Sequence, residues 1–472
     1  MATSRWNQFF SSSIFKDIRF WIVLYFLIRL FHITQPPLET AHSWRQSTGL
    51  MVSRNFYEIS PDILHPRVDM AGEKTGITGT EFPLFNYLIY LFAKIFGWAD
   101  WYGRLINLIV SSFGVYWFYL LVLKYVKKET AFFATFILLN SLWFAYSRKT
   151  MPDTFAVSLA MGGLYYGLNF LKNGNWLNAT GFFILVLCGL LSKIPSGFLL
   201  VVLILPFLDG KIPLLRKAVI SVLFLVLMVP VYWWYFTWVP YLVKEFGFWH
   251  YYMGTSMSQG AKEISAHLDE AFEKFYFPAL NWIGFFLFLS GLFMAIVRRE
   301  KKILWVFGLC FATFLVFIMK AGFAFYHHNY YILPFVPIMA LLAGYVLSII
   351  PSIGIKRVLA LAVAIEIIIN ALPEFHTNSD QKYKLTLETL AEKNSSRNEL
   401  IAINCGPNPQ EIYLSHRKGW NLEYPDQTQT SYIALIKSKG CKILIINKHD
   451  MPVPPYPFQK IDETNDFTVY RL

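Results

Sequence analysis

Apolar runs broken by short basic segments recur along the chain from its first helix to about residue 372. A helix of about 20 residues crosses the hydrocarbon layer of a bilayer. By length and flanking charge the runs predict about eleven membrane helices. They lie near residues 19–33, 104–125, 131–147, 153–171, 177–193, 196–208, 217–239, 278–297, 303–320, 331–350 and 357–372, with 196–208 the shortest. After Leu372 the pattern changes. "ELIAINC", "SYIALIKSKG", "CKILIINK" and "FTVYRL" read as strand, helix, strand and strand, which predicts a small α/β domain. The expected organisation is a transmembrane domain over 1–372, with a long outside loop at 34–103, and an extracytoplasmic α/β domain over 373–472.

Composition sharpens this picture. Of 472 residues, 55% are hydrophobic and 15% charged, against about 25% charged in soluble domains, and mean hydropathy is +0.42. The fold class expected is a polytopic α-helical membrane protein. The net charge of +12 would suit nucleic acid, but the basic residues sit in "KYVKKE", "LKNGN", "DGKIPLLRK", "VRREKK" and "IKR", short loops between apolar runs. That placement follows the positive-inside rule instead, so no nucleic-acid partner is expected. It predicts a multi-pass membrane protein with a cytoplasmic N terminus and an outside C-terminal domain. No cleavable signal peptide is expected, since no small-residue cleavage site follows the first apolar run. Cys188 and Cys310 fall in apolar helices. Cys405 ends one predicted strand and Cys441 begins another, so parallel strands would keep them too far apart for a disulfide.

Two outside loops carry further helical patterns. "EFPLFNYLIYLFAKIFGWADWYGR" is apolar enough to lie along the interface, and its Trp98, Trp101 and Tyr102 suit the headgroup level. "EFGFWHYY" is followed by "SQGAKEISAHLDEAFEKF", which reads as one amphipathic helix.

Ionisable residues in membrane proteins tend to mark function, and here they collect at the outer ends of helices. "ETAHSWRQ" holds Glu39, His42 and Arg45, and the long loop adds Asp69 and Glu81. "YSRKTMPDT" carries Arg148, Lys149 and Asp153, and "LLSKIPSG" carries Lys193. "YHHNYYILP" carries His327, His328, Tyr330 and Tyr331. Each also has a plain structural reading. Arg45 could bind a lipid phosphate, Glu81 or Asp153 could sit at a helix N-terminus, Lys193 could snorkel, and the aromatics could form an interface belt. "AGEKTGITGTE" reads as a flexible loop, and Arg29 has no evident role. No metal-ligand spacing such as H-x-x-x-H occurs, so the cofactor stays unknown, with a divalent metal one option.

Taken in order, "HSWRQ", "HPRVDMAG", "GTEFPLFNYL", "WYGRLIN", "SRKTMPD", "LLSKIPSG" and "HHNYYILP" resemble a known family. It is the bacterial membrane glycosyltransferases of the GT-C class, related to the protein O-mannosyltransferases and the lipid A aminoarabinose transferases. The resemblance covers roughly residues 18 to 370. It implies a glycosyltransferase that moves a hexosyl or pentosyl group, by inversion, from a polyprenyl-phosphate donor to a lipid, glycan or protein acceptor outside the cytoplasm. One carboxylate would act as base: Glu39 or Glu81, with Asp69 third. His42 would orient substrate or join a metal site. Arg45, Arg148, Lys193 and His328 would stabilise the leaving phosphate, with Tyr330 and Tyr331 donating hydrogen bonds or packing on the prenyl chain, and Asp153 and His327 in support. The chain departs from its relatives in placing His42, not an acid, three residues before Arg45. It also has Glu81-Phe82-Pro83 where aminoarabinose-type relatives have acid–Lys–Pro. The rival reading is a transporter or flippase of a lipid-linked or anionic substrate, which would keep ionisable residues near the bilayer midplane.

Overall fold

The structure is a computed structural model describing residues 13–39, 41–248, 254–423, 426, 429–450 and 456–472. Among the described residues, six helices are long and apolar enough to cross a membrane. They are Tyr102–Leu123, Pro152–Asn173, Leu214–Phe246, Leu268–Val297, Lys301–Ala321 and Ile353–Phe375. The other five expected spans fall on shorter helices, so the count of about eleven crossings is not reproduced by length. They are Ile18–Arg29, Lys128–Leu139, Trp176–Ser192, Ile194–Leu208 and Val336–Ile349. Ile194–Leu208 is mostly 3-10 helix, over Ile194–Leu203. The run at 131–147 breaks after Leu139 because Asn140 turns the backbone out of helix (φ −106°, ψ 50°).

The chain forms two compact units. The first, helical, comprises residues 1–33, 104–232 and 252–373; the second, mixed, comprises 34–103, 233–251 and 374–472. The linear division drawn from composition groups 34–103 with the helices; the compact units group it with the C-terminal residues.

In the helical unit, small residues let helices approach closely. A Cβ on Gly163 would lie 2.4 Å from Val186 Cγ2 of the neighbouring Trp176–Ser192 helix. The Leu268–Val297 helix is interrupted at Asn281 (φ 55°). The break frees two N–H groups, and the Glu366 carboxylate accepts from Trp282 and Ile283, both at 3.0 Å. The expected amphipathic helix is two, Met257–Ala266 and the start of Leu268–Val297, parted at His267; of "EFGFWHYY", residues 249–252 lie outside the described residues. Arg29 acquires a role. It is buried, donates to the Tyr25 carbonyl (2.9 Å) and to the Ser147 hydroxyl, and lies over the Phe144 ring.

The mixed unit holds a five-stranded sheet: β1 (Leu400–Asn404), β2 (Gly419–Leu422), β3 (Cys441–Asn447), β4 (Gln459–Glu463) and β5 (Phe467–Arg471). Its order is β2-β1-β3-β5-β4. β1 runs parallel to β2 and β3, while β5 runs antiparallel to β3 and β4. Short β2 and the polar edge strand β4 carry little apolar signal, and the sequence reading missed both. Cys405 and Cys441 are free, as expected for parallel β1 and β3, whose register sets Leu400 opposite Cys441.

One core joins the loop to the sheet within this unit. Leu50, Met51, Phe56 and Val68 pack with Ile401, Ile403, Ile443 and Val469. The supposedly flexible glycine loop is fixed there. Gly72 donates to the Gly419 carbonyl (2.8 Å), and the Gly419 N–H donates to the Asp69 carbonyl (2.9 Å). Gly72 has φ +58°, and a Cβ there would lie 2.5 Å from the Trp420 indole nitrogen, so only glycine fits.

Candidate functional site

Two groups of polar side chains contain the expected residues, one in each unit.

In the mixed unit, "HSWRQ" opens an unexpected helix, Ser43–Glu58, whose N-cap His42 is left-handed (φ 58°). Its polar residues Gln46, Ser47, Thr48, Ser53, Arg54 and Asn55 are buried, so no apolar stripe announced it. The helix carries two arginine–carboxylate pairs. Near its start, Arg45 donates to Glu81, which also accepts from the Thr80 hydroxyl (3.2 Å). The chain around Glu81 is clamped: Trp234 Nε1 donates to the Thr80 carbonyl (3.1 Å), and the Trp234 ring meets Phe82 edge-on at 4.9 Å.

Near the helix end, Arg54 donates to Asp69 Oδ2 (3.0 Å) and Asn55 donates to Asp69 Oδ1 (2.9 Å). Asn55 also holds the Arg67 carbonyl (3.1 Å), and the Arg54 guanidinium lies 4.2 Å from the Tyr413 ring centroid. Glu39 is buried and forms a backbone bridge to Thr377. Glu58, at the helix C-terminus, meets His416 (2.9 Å) and Arg397 (2.7 Å). Partial burial raises its pKa, but hydrogen bonds from His416 and Arg397 outweigh this and bring it down to about 2.

In the helical unit, "YSRKTMPDT" leads into the Pro152–Asn173 helix, with Pro152 at its first position and Asp153 in its first turn. The turn is held by Asn107, whose amide donates to the carbonyls of Tyr146 (3.0 Å), Lys149 (2.8 Å) and Met151 (3.1 Å). The sequence reading passed over Asn107; a polar residue early in an apolar helix was its only signal. Asp153 pairs with Lys193, the C-cap of Trp176–Ser192. Its other oxygen, Oδ2, is buried without a hydrogen-bond partner among the described residues. Lys193 Nζ lies 4.8 Å from the Tyr330 ring centroid and 5.7 Å from that of Tyr331. His328 stacks on Tyr330 (5.2 Å, 16°). Asp153, Lys193, His328, Tyr330 and Tyr331 thus form one group, with Lys149 nearby against the Tyr146 ring, which in turn approaches Tyr330 at 6.4 Å. His327 adjoins Tyr326 and Phe323.

Arg148 does something else. Fully buried, it donates to the carbonyls of Phe31 (2.6 Å), His32 (3.2 Å) and Arg29 (3.3 Å). It caps the end of the Ile18–Arg29 helix, where unsatisfied carbonyls favour a cation. Among the described residues, no group of three or more His, Cys, Asp and Glu is arranged to hold a metal ion.

Residues 80–234 match the family model of the dolichyl-phosphate-mannose-protein mannosyltransferases. Among solved structures, the chain is similar to ArnT from Cupriavidus metallidurans bound to undecaprenyl phosphate. The TM-score is 0.60 at 14% identity, covering 96% of this chain and 98% of that one. It is also similar to the archaeal oligosaccharyltransferase AglB from Archaeoglobus fulgidus in complex with an inhibitory peptide and a dolichol-phosphate. There the TM-score is 0.55 at 11% identity, covering 91% of this chain and 69% of that one. The chain has the GT-C fold. No curated protein matches it in sequence. The stretch that matches the mannosyltransferase model includes Glu81, Arg148, Asp153 and Lys193, and the similarity to ArnT covers 96% of the chain.

Proposed function

We propose that this GT-C protein transfers a sugar, with inversion, from a polyprenyl-phosphate donor to an acceptor on the outer face of the bacterial inner membrane. The N terminus is then cytoplasmic, and residues 373–472 are extracytoplasmic and help hold the acceptor. The observation that carries the reading is the mannosyltransferase match over 80–234, because that stretch includes Glu81, Asp153 and Lys193. Polyprenyl phosphates bound to ArnT and AglB support a lipid-borne donor, as does the lack of nucleotide sugars outside the cytoplasm.

In such a transfer the acceptor hydroxyl attacks the anomeric carbon as the lipid phosphate leaves from the opposite face. A carboxylate takes the hydroxyl proton. Glu81, positioned by Arg45 and Thr80, is the base this reading prefers, with Glu39 second. Asp69 is set aside, because both its oxygens are engaged by Arg54 and Asn55 within the packed loop. Lys193, oriented by Asp153 and flanked by Tyr330, Tyr331 and His328, supplies fixed positive charge and hydrogen bonds to the leaving phosphate. Arg148 is read as structural, its guanidinium committed to three carbonyls.

The test is incubation of the purified protein in proteoliposomes with labelled polyprenyl-phosphate sugars and candidate acceptors. The proposal expects sugar to leave the lipid and appear on an acceptor. Labelled lipid that crosses the bilayer with its sugar intact would support the transporter reading instead.

A further inference from the structure

At the opposite, basic ends of the same helices, the helical unit holds a half-open cavity of about 700 Å³, within the ~300–1,000 Å³ range of small-molecule sites. Its body is apolar, built from helices distant in sequence and including Phe118, Leu164, Trp305 and Ile338. Its lining also holds six cations, Lys124, Lys172, Lys211, Arg216, Lys301 and Lys302, against one carboxylate, Asp209. The cations come from four of the basic loops that predict the cytoplasmic side.

Their local contacts leave the excess charge in place. Arg216 donates to the carbonyls of Lys172 (2.7 Å) and Leu171 (3.3 Å). Lys124 meets the Asn169 carboxamide and the Tyr165 ring, at 4.9 Å. Asp209 accepts from the Lys211 backbone N–H (2.9 Å). Among the described residues none of the six pairs with a carboxylate. Positive-inside orientation needs basic loops, but it does not need them to ring an apolar cavity. Basic pockets between membrane helices on the cytoplasmic side suit anionic lipid headgroups.

We propose that this cavity is a binding site for an anionic glycerophospholipid, its acyl chain among the apolar side chains and its phosphate among the lysines and Arg216. The site is separate from the Asp153–Lys193 group and independent of the proposed transfer.

The experiment is native mass spectrometry of the full-length protein titrated with phosphatidylglycerol or with phosphatidylcholine of identical chains. The wild type is compared with Lys301→Gln/Lys302→Gln and with Arg298→Gln/Arg299→Gln. The last pair removes two charges from the same basic loop but does not line the cavity. Retention of phosphatidylglycerol over phosphatidylcholine should fall about fivefold for each lining cation removed and stay unchanged in the Arg298/Arg299 variant. A third variant, Ile338→Trp, fills the apolar body and should weaken phosphatidylglycerol binding while every cation remains. Equal losses in both charge variants would overturn the proposal in favour of diffuse surface attraction. So would equal retention of the two lipids by the wild type. Displacement of phosphatidylglycerol by undecaprenyl phosphate at lower concentration, lost in the Lys301/Lys302 variant, would overturn the assigned occupant.

Discussion

In the helical unit the buried Arg148 ends on three peptide carbonyls, whereas in the mixed unit the buried Arg54 ends on a carboxylate and a tyrosine ring. Both give a guanidinium polar or aromatic partners away from water, and both hold a helix end or a loop in place. Each unit also holds a second cation with a different setting. Lys193 meets one carboxylate and two tyrosine rings, and Arg45 meets a glutamate in a clamped turn. Arg45, Arg148 and Lys193 look alike in the sequence as helix-end charges, and nothing there singles out Arg54. Their partners separate those that fasten the fold from those the proposed transfer would use.

The comparison is broken most severely through Glu81. Glu81→Gln keeps a hydrogen-bond acceptor for Arg45 but removes the proton acceptor, so kcat should fall about 10²–10⁴-fold with the melting temperature nearly unchanged. Comparable unfolding and inactivation would move Glu81 into the structural class. Arg54→Ala should act in the opposite sense. Leaving Asp69 without its buried partner costs about 3–5 kcal/mol, read as a lowered denaturation midpoint and easy proteolysis of residues 374–472. A stable Arg54→Ala protein would show that the pair does not fasten the loop to the sheet. Lys193→Ala should lower kcat about 10²–10³-fold, as loss of one preorganised charge does, and Lys193→Arg should restore part of it. A change confined to KM would place Lys193 in ground-state binding instead.

The smallest effect is on acid stability. With its folded pKa near 2 and an ordinary glutamate near 4.3, the Glu58 carboxylate stabilises the mixed unit fully above about pH 4.5. That contribution is lost as pH falls through 2. Glu58→Gln should therefore flatten the loss of stability over this interval, measured as the denaturation midpoint against pH. An unchanged slope would put the acid sensitivity elsewhere.

Much of the helical unit was legible because apolar period and length carry it, and Tyr102–Leu123 and Lys301–Ala321 fall where the hydropathy placed them. Lys128–Leu139 was over-extended, since the apolar run continues past the turn that Asn140 imposes. The Ser43–Glu58 helix was invisible for another reason. Its buried residues mix Leu50, Met51, Val52 and Phe56 with Gln46, Ser47, Thr48, Ser53, Arg54 and Asn55, so burial on nearly every side leaves no apolar stripe to read. The glycine loop was misjudged because Gly72 is there to admit Trp420, a contact between residues far apart in the chain. For the candidate site, the residue types were readable and their grouping only partly so. Lys193 with Asp153 and Arg45 with Glu81 come together, while Arg148 and Asp69 turn inward. Nothing in "SRKT" or "RVDM" distinguishes a guanidinium or carboxylate facing a carbonyl or an arginine from one facing a substrate.

The most direct measurement is the release of polyprenyl phosphate from a labelled polyprenyl-phosphate sugar by purified wild-type protein, with its Arg298→Gln/Arg299→Gln variant as a matched control. The account predicts acceptor-dependent release by both, coupled one to one to glycosylated acceptor. Folded protein that binds the lipid and never cleaves its sugar–phosphate bond, across lipid, glycan and peptide acceptors, would contradict it.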